Sequence, residues 1–216
     1  MKNLVSASLL AADFKNLGDE VKRAENSGID MLHLDVMDGI FVTNLSFGMP
    51  VIAALRDQTK MIFDTHLMTQ DPYRLIESSV KAGSDYITFH SESDSDIKKT
   101  IELIKSYGVK AGLSVKPKTP IEDVYPYLDM LDLVLIMTVE PGYGGQSFMY
   151  DMLDKITKLR NKITEFGKDI IIEVDGGVNN ETGKLCIEAG ANALVAGTYL
   201  FGSDNMSNRA KLLKNL

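Results

Sequence analysis

The sequence has almost no capacity for disulfides and no stretch that could span a membrane. Its 216 residues include one cysteine, Cys186, so no intramolecular disulfide can form and we expect a reducing compartment. The segment GKLCIEAG places Cys186 at helical spacing, which predicts a small buried hydrophobe. No apolar stretch approaches the ~18 residues of a membrane helix. The first apolar run ends at Asp13, too early for a signal peptide, so we expect a first strand there and a cytoplasmic protein without a membrane partner.

The sequence also lacks an excess of positive charge. Its formal net charge is −7, with 23 lysines and arginines against 30 aspartates and glutamates. Nucleic-acid partners are not expected, because a polyanion requires a basic face. A small phosphorylated ligand is still compatible with this charge, since backbone amides and a metal ion can hold a phosphate.

Short apolar runs alternate with longer amphipathic stretches along the whole chain, and each stretch has apolar residues at helical spacing. The eight strand-like runs are LVSASLL, MLHLDVM, MIFDTHLM, DYITFH, KAGLSV, LDLVLIMTV, DIIIEVD and ALVAGTYLF. Glycines follow several predicted helices, where a left-handed residue commonly ends a helix. They are Gly28, Gly83, Gly108, Gly167 and Gly190.

This alternation predicts a parallel sheet with helices between its strands. Eight units in 216 residues predict a single (β/α)8 TIM barrel, whose active site lies at the C-terminal ends of the strands. No linker or change of composition interrupts the pattern, so we expect one domain over residues 1–216. An open doubly wound sheet is the alternative, but the segment SASLLAADF lacks its glycine-rich fingerprint.

Polar side chains lie at the ends of three predicted strands. In LHLDVMDG the period of two places His33 and Asp35 on one face, while His66 and Asp175 lie near the ends of the third and seventh runs. Polar groups inside a barrel cost free energy unless they are paired, although each one alone could be a hydrogen-bonded core group. Two imidazoles and two carboxylates suit one divalent cation such as Zn²⁺, Mn²⁺, Fe²⁺ or Co²⁺. His90 is expected to support this site or the core.

The order of strands in a barrel predicts how the two aspartates act. Strands two and seven are three steps apart around the ring, so Asp35 and Asp175 are expected to face each other across much of the mouth. One carboxylate can remove a proton from a carbon next to a carbonyl, and the other can return a proton to the opposite face. A metal ion would stabilise the charge that develops on the oxygen. Such transfer inverts the carbon centre.

Glycine-rich turns follow the last three predicted strands. They are EPGYGGQ at 140–146, DGGV after strand seven and AGTY after strand eight. Glycines let backbone N–H groups approach an anion, and the loops after strands seven and eight are a recurrent phosphate site in these barrels. A tight turn explains a single glycine pair equally well, whereas three such turns in consecutive loops favour a phosphate site.

The same segments resemble the ribulose-phosphate 3-epimerase family over essentially the whole chain. LHLDVMDGIFVTNLSFG, DTHLM, MTVEPGYGGQSF and IEVDGGV match that family's signatures in order and spacing. The resemblance implies a metal-dependent isomerase that inverts C3 of D-ribulose 5-phosphate to give D-xylulose 5-phosphate, and it suggests a homo-oligomer. It also implies that Asp35 and Asp175 are the acid/base groups and that both bind the metal together with His33 and His66.

The resemblance extends to residues around the substrate. Those implied to contact it or to surround its phosphate are Ser8, His66, Gly142, Tyr143, Gly144, Gly145, Gly176, Gly177, Gly197 and Thr198. Met37, Met68 and Met137 resemble the family's methionines beneath the reacting carbons, although ordinary core packing explains them equally well.

The chain departs from the family at five positions that leave the sugar less closely defined. Family members usually have proline at Ala7 and Thr43, histidine at Ile40, and asparagine at Lys116 and Glu140. None of these is a proposed ligand or acid/base group, so the chemistry is expected to persist. A hexulose 6-phosphate such as allulose 6-phosphate is the alternative substrate.

Two further functions are alternatives. Related barrel decarboxylases and aldol-type synthases carry lysine where this chain has Met37, and a Schiff-base aldolase would need a buried neutral lysine. Lys116 is the candidate, but its segment SVKPKTP is typical of a solvated loop. A non-catalytic sugar-phosphate sensor is the other alternative, although a pure binding protein has no use for opposed carboxylates.

Overall fold

The computed structural model describes residues 3–216, in which eight parallel strands form a closed barrel. Each strand pairs with the next, and β1 also pairs with β8, so the sheet has no open edge. The strands are β1 Leu4–Ser8, β2 Met31–Met37, β3 Ile62–Met68, β4 Tyr86–His90, β5 Lys110–Val115, β6 Leu133–Met137, β7 Ile171–Asp175 and β8 Ala193–Ala196. The predicted TIM barrel is confirmed, while the single domain over residues 1–216 stays a prediction.

Helices connect the strands. They are α1 Leu17–Asn26, α2 Met49–Arg56, α3 Ile76–Lys81, α4 Ile97–Ser106, α5 Met152–Phe166, α6 Asn180–Ala189, α7 Thr198–Phe201 and α8 Met206–Lys214. Between β5 and β6 the chain forms a 3₁₀ helix, Ile121–Tyr127. Pro126 lies within it and has no N–H to donate to an α-helical ladder. Among the described residues, no helix is both long and apolar enough to cross a bilayer.

The predicted strand runs are right in position, but most of them extend beyond the observed strands, and the excess is largest at β8. The last run was expected to reach Phe201, yet β8 ends at Ala196 and the short helix α7 follows. Gly197 has φ −99° and ψ −95°, outside the extended region, and so ends the strand. The first run likewise ends at Ser8 and continues as a 3₁₀ turn. The five glycines predicted at helix exits all have positive φ, and Gly167 ends α5 in the left-handed conformation.

The two faces of the sheet have different environments. Leu32 and Leu34 of β2 are buried in the apolar core between the sheet and the helices. The alternate residues His33 and Asp35 are equally buried but contact polar side chains of other strands inside the barrel. Cys186 belongs to the outer apolar core, and burial raises the pKa of its thiol to about 12. The predictions for the β2 face and for Cys186 are confirmed.

Candidate active site

A cleft of about 580 Å³ opens at the C-terminal ends of the strands. This is the end at which barrels of this kind carry their active sites, and the volume suits a small molecule. The cleft is lined by the predicted residues Ser8, Asp35, Met37, Met68, Met137, Gly142, Tyr143, Gly144, Gly145, Asp175, Gly176, Gly177, Gly197 and Thr198. Residues from six strand ends and the loops that follow them thus meet at one place, and their individual roles stay predictions.

Four side chains converge at the floor of this cleft. His33 Nε2 lies 3.2 Å from His66 Nδ1 and 3.3 Å from Asp35 Oδ1, and His66 Nδ1 lies 3.1 Å from the same oxygen. Asp175 Oδ2 lies 3.9 Å from His33 Nε2. One donor atom from each residue lies within 4.8 Å of the others. The two aspartates are therefore much closer than the expected distance across the mouth, because both side chains point into the barrel.

This donor set fits a divalent cation. Two imidazole nitrogens and two carboxylate oxygens are typical ligands of Zn²⁺ and related ions, and tetrahedral ligands ~2.0–2.1 Å from an ion lie roughly 3.3 Å apart. The distances of 3.1 to 3.3 Å among His33, His66 and Asp35 match that spacing. Asp35 is buried beside both imidazoles, and a buried carboxylate is costly unless a positive charge compensates it.

The surroundings of the two aspartates shift their pKa values in opposite directions. Burial alone would raise the pKa of Asp35, but His33 and His66 outweigh it and hold that pKa well below its usual range. The Ser8 hydroxyl also donates to Asp35 Oδ2 at 2.8 Å. Burial, together with the negative charge of Asp35, raises the pKa of Asp175 to about 6. Two carboxyl groups whose pKa values are pushed apart are suited to act as a base and an acid.

Two buried carboxyl groups beneath His33 were not predicted. Asp64 Oδ2 lies 2.5 Å from His33 Nδ1, and Glu173 Oε2 lies 3.9 Å from the same nitrogen. Burial and the neighbouring Asp64 raise the pKa of Glu173 well above its ordinary value. Because the Asp64 carboxyl lies at hydrogen-bond distance from His33 Nδ1, we interpret Asp64 and Glu173 as a support for the ring rather than as a second cation site. The period of two could have revealed both carboxyls, since each lies two residues before a predicted ligand.

A second support extends from His66 on the other side. His66 Nε2 lies 2.9 Å from His90 Nε2, and His90 Nδ1 lies 3.2 Å from Glu92 Oε2. Burial lowers the pKa of His90 to about 4. The aromatic ring of Phe41 lies 4.9 Å from the His90 ring. His90 thus contacts a proposed ligand, as predicted for a supporting residue, whereas Glu92 was missed.

The departures from the family pattern lie mostly outside the cleft. Glu140 lines it, but Ala7 is buried in the outer core and Ile40 is 71% exposed. Lys116 is not among the lining residues, and its ammonium lies 3.7 Å from the centroid of the Phe41 ring. The aldolase alternative needs a lysine in the cleft, so the position of Lys116 disfavours it.

Comparison with known proteins gives a consistent result. The sequence pattern of the ribulose-phosphate 3 epimerase family matches residues 4–201. The ribulose-phosphate 3-epimerase of Bacillus subtilis is 46% identical over 213 residues, which cover 98% of this chain and 97% of that protein. The chain belongs to the ribulose-phosphate 3-epimerase family. The chloroplastic ribulose-5-phosphate-3-epimerase of Arabidopsis thaliana is also 46% identical, over 98% of this chain and 76% of that protein.

Solved structures support the fold of this family member. The 3-keto-L-gulonate-6-phosphate decarboxylase of Vibrio cholerae superposes with a TM-score of 0.71 over 100% of this chain and 97% of that chain, at 20% identity. Among the described residues that line the family member's cleft, none is a lysine or an arginine. An anion bound there would therefore depend on backbone N–H groups and a cation rather than on basic side chains.

Alanine at Gly177 is expected to weaken both folding and sugar-phosphate binding in this epimerase. Gly177 has φ +67°, and a Cβ there would lie 2.7 Å from the backbone nitrogen of Phe148. The left-handed conformation alone costs about 1–2 kcal/mol for an L-residue, which lowers Tm by roughly 2–8 °C in a chain of this size. The added clash displaces the turn that lines the cleft, so KM for the sugar phosphate should rise. Gly108→Ala is the control, because it carries the same left-handed cost without a clash. Gly108 has φ +76° with nothing within 4 Å of a Cβ, and an unchanged KM in Gly177→Ala would contradict the prediction.

Proposed function

We propose that this chain interconverts D-ribulose 5-phosphate and D-xylulose 5-phosphate by inverting C3. The observation that carries the proposal is the pair Asp35 and Asp175, whose carboxylate oxygens lie within 4.8 Å of each other at the floor of one cleft. Their side chains are 3% and 18% exposed, so both are largely shielded from water yet reach the cleft. The epimerase names of the relatives in Bacillus subtilis and Arabidopsis thaliana support the same reaction.

The two aspartates divide the proton transfer between them. One carboxylate removes the proton from C3, and the electron pair moves to the C2 carbonyl oxygen to give an enediolate. The other, as the carboxylic acid, returns a proton to C3 from the opposite face and so inverts the centre. The reverse reaction exchanges the two roles. The opposite pKa shifts of Asp35 and Asp175 support such a division.

A divalent cation would be held by His33, Asp35, His66 and Asp175, whose donor atoms fit it in number, type and spacing. When bound, it supplies positive charge close to the oxygens that become negative during the reaction. We propose Zn²⁺, Mn²⁺, Fe²⁺ or Co²⁺, because imidazole ligands favour these ions over Mg²⁺ and Ca²⁺.

The rest of the cleft positions the sugar and its phosphate. Met37, Met68 and Met137 give the cleft an apolar lining that shields the reacting carbons from water. The glycine turns at 142–145, 176–177 and 197–198 line the cleft where backbone N–H groups can approach the phosphate. The N-terminus of α6, capped by Asn179, lies directly after the second of these turns. A cytoplasmic location and assembly as a homo-oligomer stay predictions.

Proton exchange in D2O tests this function and its alternatives together. The cation-loaded protein is incubated with D-ribulose 5-phosphate and, in parallel, with allulose 6-phosphate, and the C3 signals are followed by NMR. We expect deuterium at C3 together with formation of the C3 epimer, faster with the pentulose. Faster epimerisation of the hexulose would make it the substrate. Absence of exchange with both sugars would contradict the proposal and favour the sensor.

A further inference from the structure

Three polar contacts link the candidate cation site to Glu92, which lies outside it. Asp35 Oδ1 lies 3.1 Å from His66 Nδ1, and His66 Nε2 lies 2.9 Å from His90 Nε2. His90 Nδ1 then lies 3.2 Å from Glu92 Oε2. Both imidazoles are fully buried, so their ring nitrogens depend on these contacts rather than on water.

The number of protons available to these three contacts is limited. Each of the three contacts needs one proton between its two atoms, whereas two neutral imidazoles carry only two N–H groups. One contact must therefore lack a proton. If that contact is the one between His66 and Asp35, the His66 Nδ1 lone pair and the Asp35 oxygen face each other. A cation between them would then take the place of the missing proton.

Glu92 determines which contact lacks the proton. Its Oε1 accepts the backbone N–H of Lys116 at 2.7 Å and also the Thr119 hydroxyl, and its Oε2 faces His90. With two donors on Oε1, Glu92 is stabilised as the ionised carboxylate, which carries no proton and can only accept at Oε2. His90 Nδ1 must then carry its proton, which leaves His90 Nε2 to accept from His66 Nε2. Glu92 thus determines which ring nitrogens of His90 and His66 carry the protons.

We propose that Glu92 is a positioning residue that acts through His90 to hold His66 in the tautomer with a free Nδ1 lone pair. This inference rests on the proposed cation site. The opposite order would place the proton of His66 on Nδ1, directed at Asp35, and would remove His66 as a ligand. That order requires a donor where Glu92 stands. Each proposed histidine ligand is then oriented by a carboxylate. Asp64 contacts His33 directly, whereas Glu92 acts on His66 through the His90 ring.

Imidazole NMR of the Zn²⁺-bound wild-type protein tests the proton order without any turnover. The ring ¹⁵N shifts distinguish a protonated nitrogen from one with a lone pair. We expect protons on His66 Nε2 and His90 Nδ1. A proton on His90 Nε2 instead of Nδ1, in protein that binds Zn²⁺, would overturn the role of Glu92 and leave the proposed function intact. Wild-type protein that binds no Zn²⁺ would overturn the cation site, and with it this inference.

The Glu92→Gln variant tests whether the carboxylate of Glu92 determines the tautomer of His66. The single amide oxygen of glutamine is expected to accept from Lys116 and Thr119, which turns the NH2 group towards His90 and reverses the proton order. Zn²⁺ affinity, measured by competition with a chelating dye, should fall about 10- to 100-fold, as for other supports of metal ligands. The control Thr119→Val removes one donor to Oε1 but keeps the acceptor facing His90, so its affinity and its His66 tautomer should be unchanged.

Two results with these variants would overturn the proposal. One is Glu92→Gln with wild-type Zn²⁺ affinity and a proton still on His66 Nε2. The other is an equal loss of affinity in Thr119→Val, since that would reflect loosening of the loop after β5 rather than proton order. If Glu92→Gln does not fold, the wild-type spectrum decides alone, because it reports the proton order directly.

Discussion

Asparagine at position 175 is expected to lower the rate of epimerisation by roughly 10²- to 10⁴-fold, since it removes one of two acid/base groups. The amide has nearly the shape of the carboxyl group but can neither take up nor release the C3 proton. Turnover is measured with D-ribulose 5-phosphate, and the bound cation is determined in the same samples, because Asp175 is also a proposed ligand. Unchanged turnover would exclude Asp175 as an acid/base group.

Solvent exchange separates the two aspartates more sharply than turnover does. In Asp175→Asn the remaining Asp35 should still exchange the C3 proton of one epimer with D2O, without inversion. Asp35→Asn should exchange the C3 proton of the other epimer. Comparison of the two variants then shows which carboxyl group acts on which face of C3. Exchange of both epimers by a single variant would contradict the two-base scheme. Asp57→Asn is a matched control, because Asp57 is exposed at the C-terminal end of α2, away from the cleft.

Removal of the divalent cation is expected to slow turnover strongly and to lower stability. A bound metal ion contributes several kcal/mol of charge stabilisation to such reactions, so the rate should fall at least about 10²-fold. An ion that binds only the folded chain, present at 100 times its Kd, stabilises it by about 2.7 kcal/mol. The corresponding loss of Tm is roughly 5–10 °C for a chain of this size. Chelation followed by thermal unfolding and metal analysis measures both effects.

The choice of ion provides the control for this experiment. Zn²⁺, Mn²⁺ or Co²⁺ should restore both Tm and turnover, whereas Mg²⁺ should restore little, because it prefers oxygen ligands in octahedral geometry. His66→Ala removes one of the four donors, so added Zn²⁺ should raise its Tm less than that of the wild type. Full turnover in protein without measurable cation would contradict the proposed site.

Local pattern predicted the fold and much of the candidate site. Strand and helix periods depend on residues close together in the chain, so they located all eight strands and placed His33 and Asp35 on one face. The same pattern predicted a strand that continues through Gly197 to Phe201, whereas β8 ends at Ala196 and α7 follows. An apolar run of β-branched and aromatic residues does not itself show where a strand bends, because a single residue with unusual dihedral angles ends it.

The sequence by itself determined the barrel, the strands that carry His33, His66 and Asp175, and the glycine turns around the cleft. Only the tertiary structure decided how close these groups lie, and it brought the two aspartates much nearer than the spacing of their strands suggested. It also revealed Asp64 beneath His33 and the contacts from Glu92 through His90 to His66. The physical reason is that alternation along a strand sets only the face on which a side chain lies. Distances between strands depend on closure of the barrel and on side-chain packing inside it, which no local pattern contains.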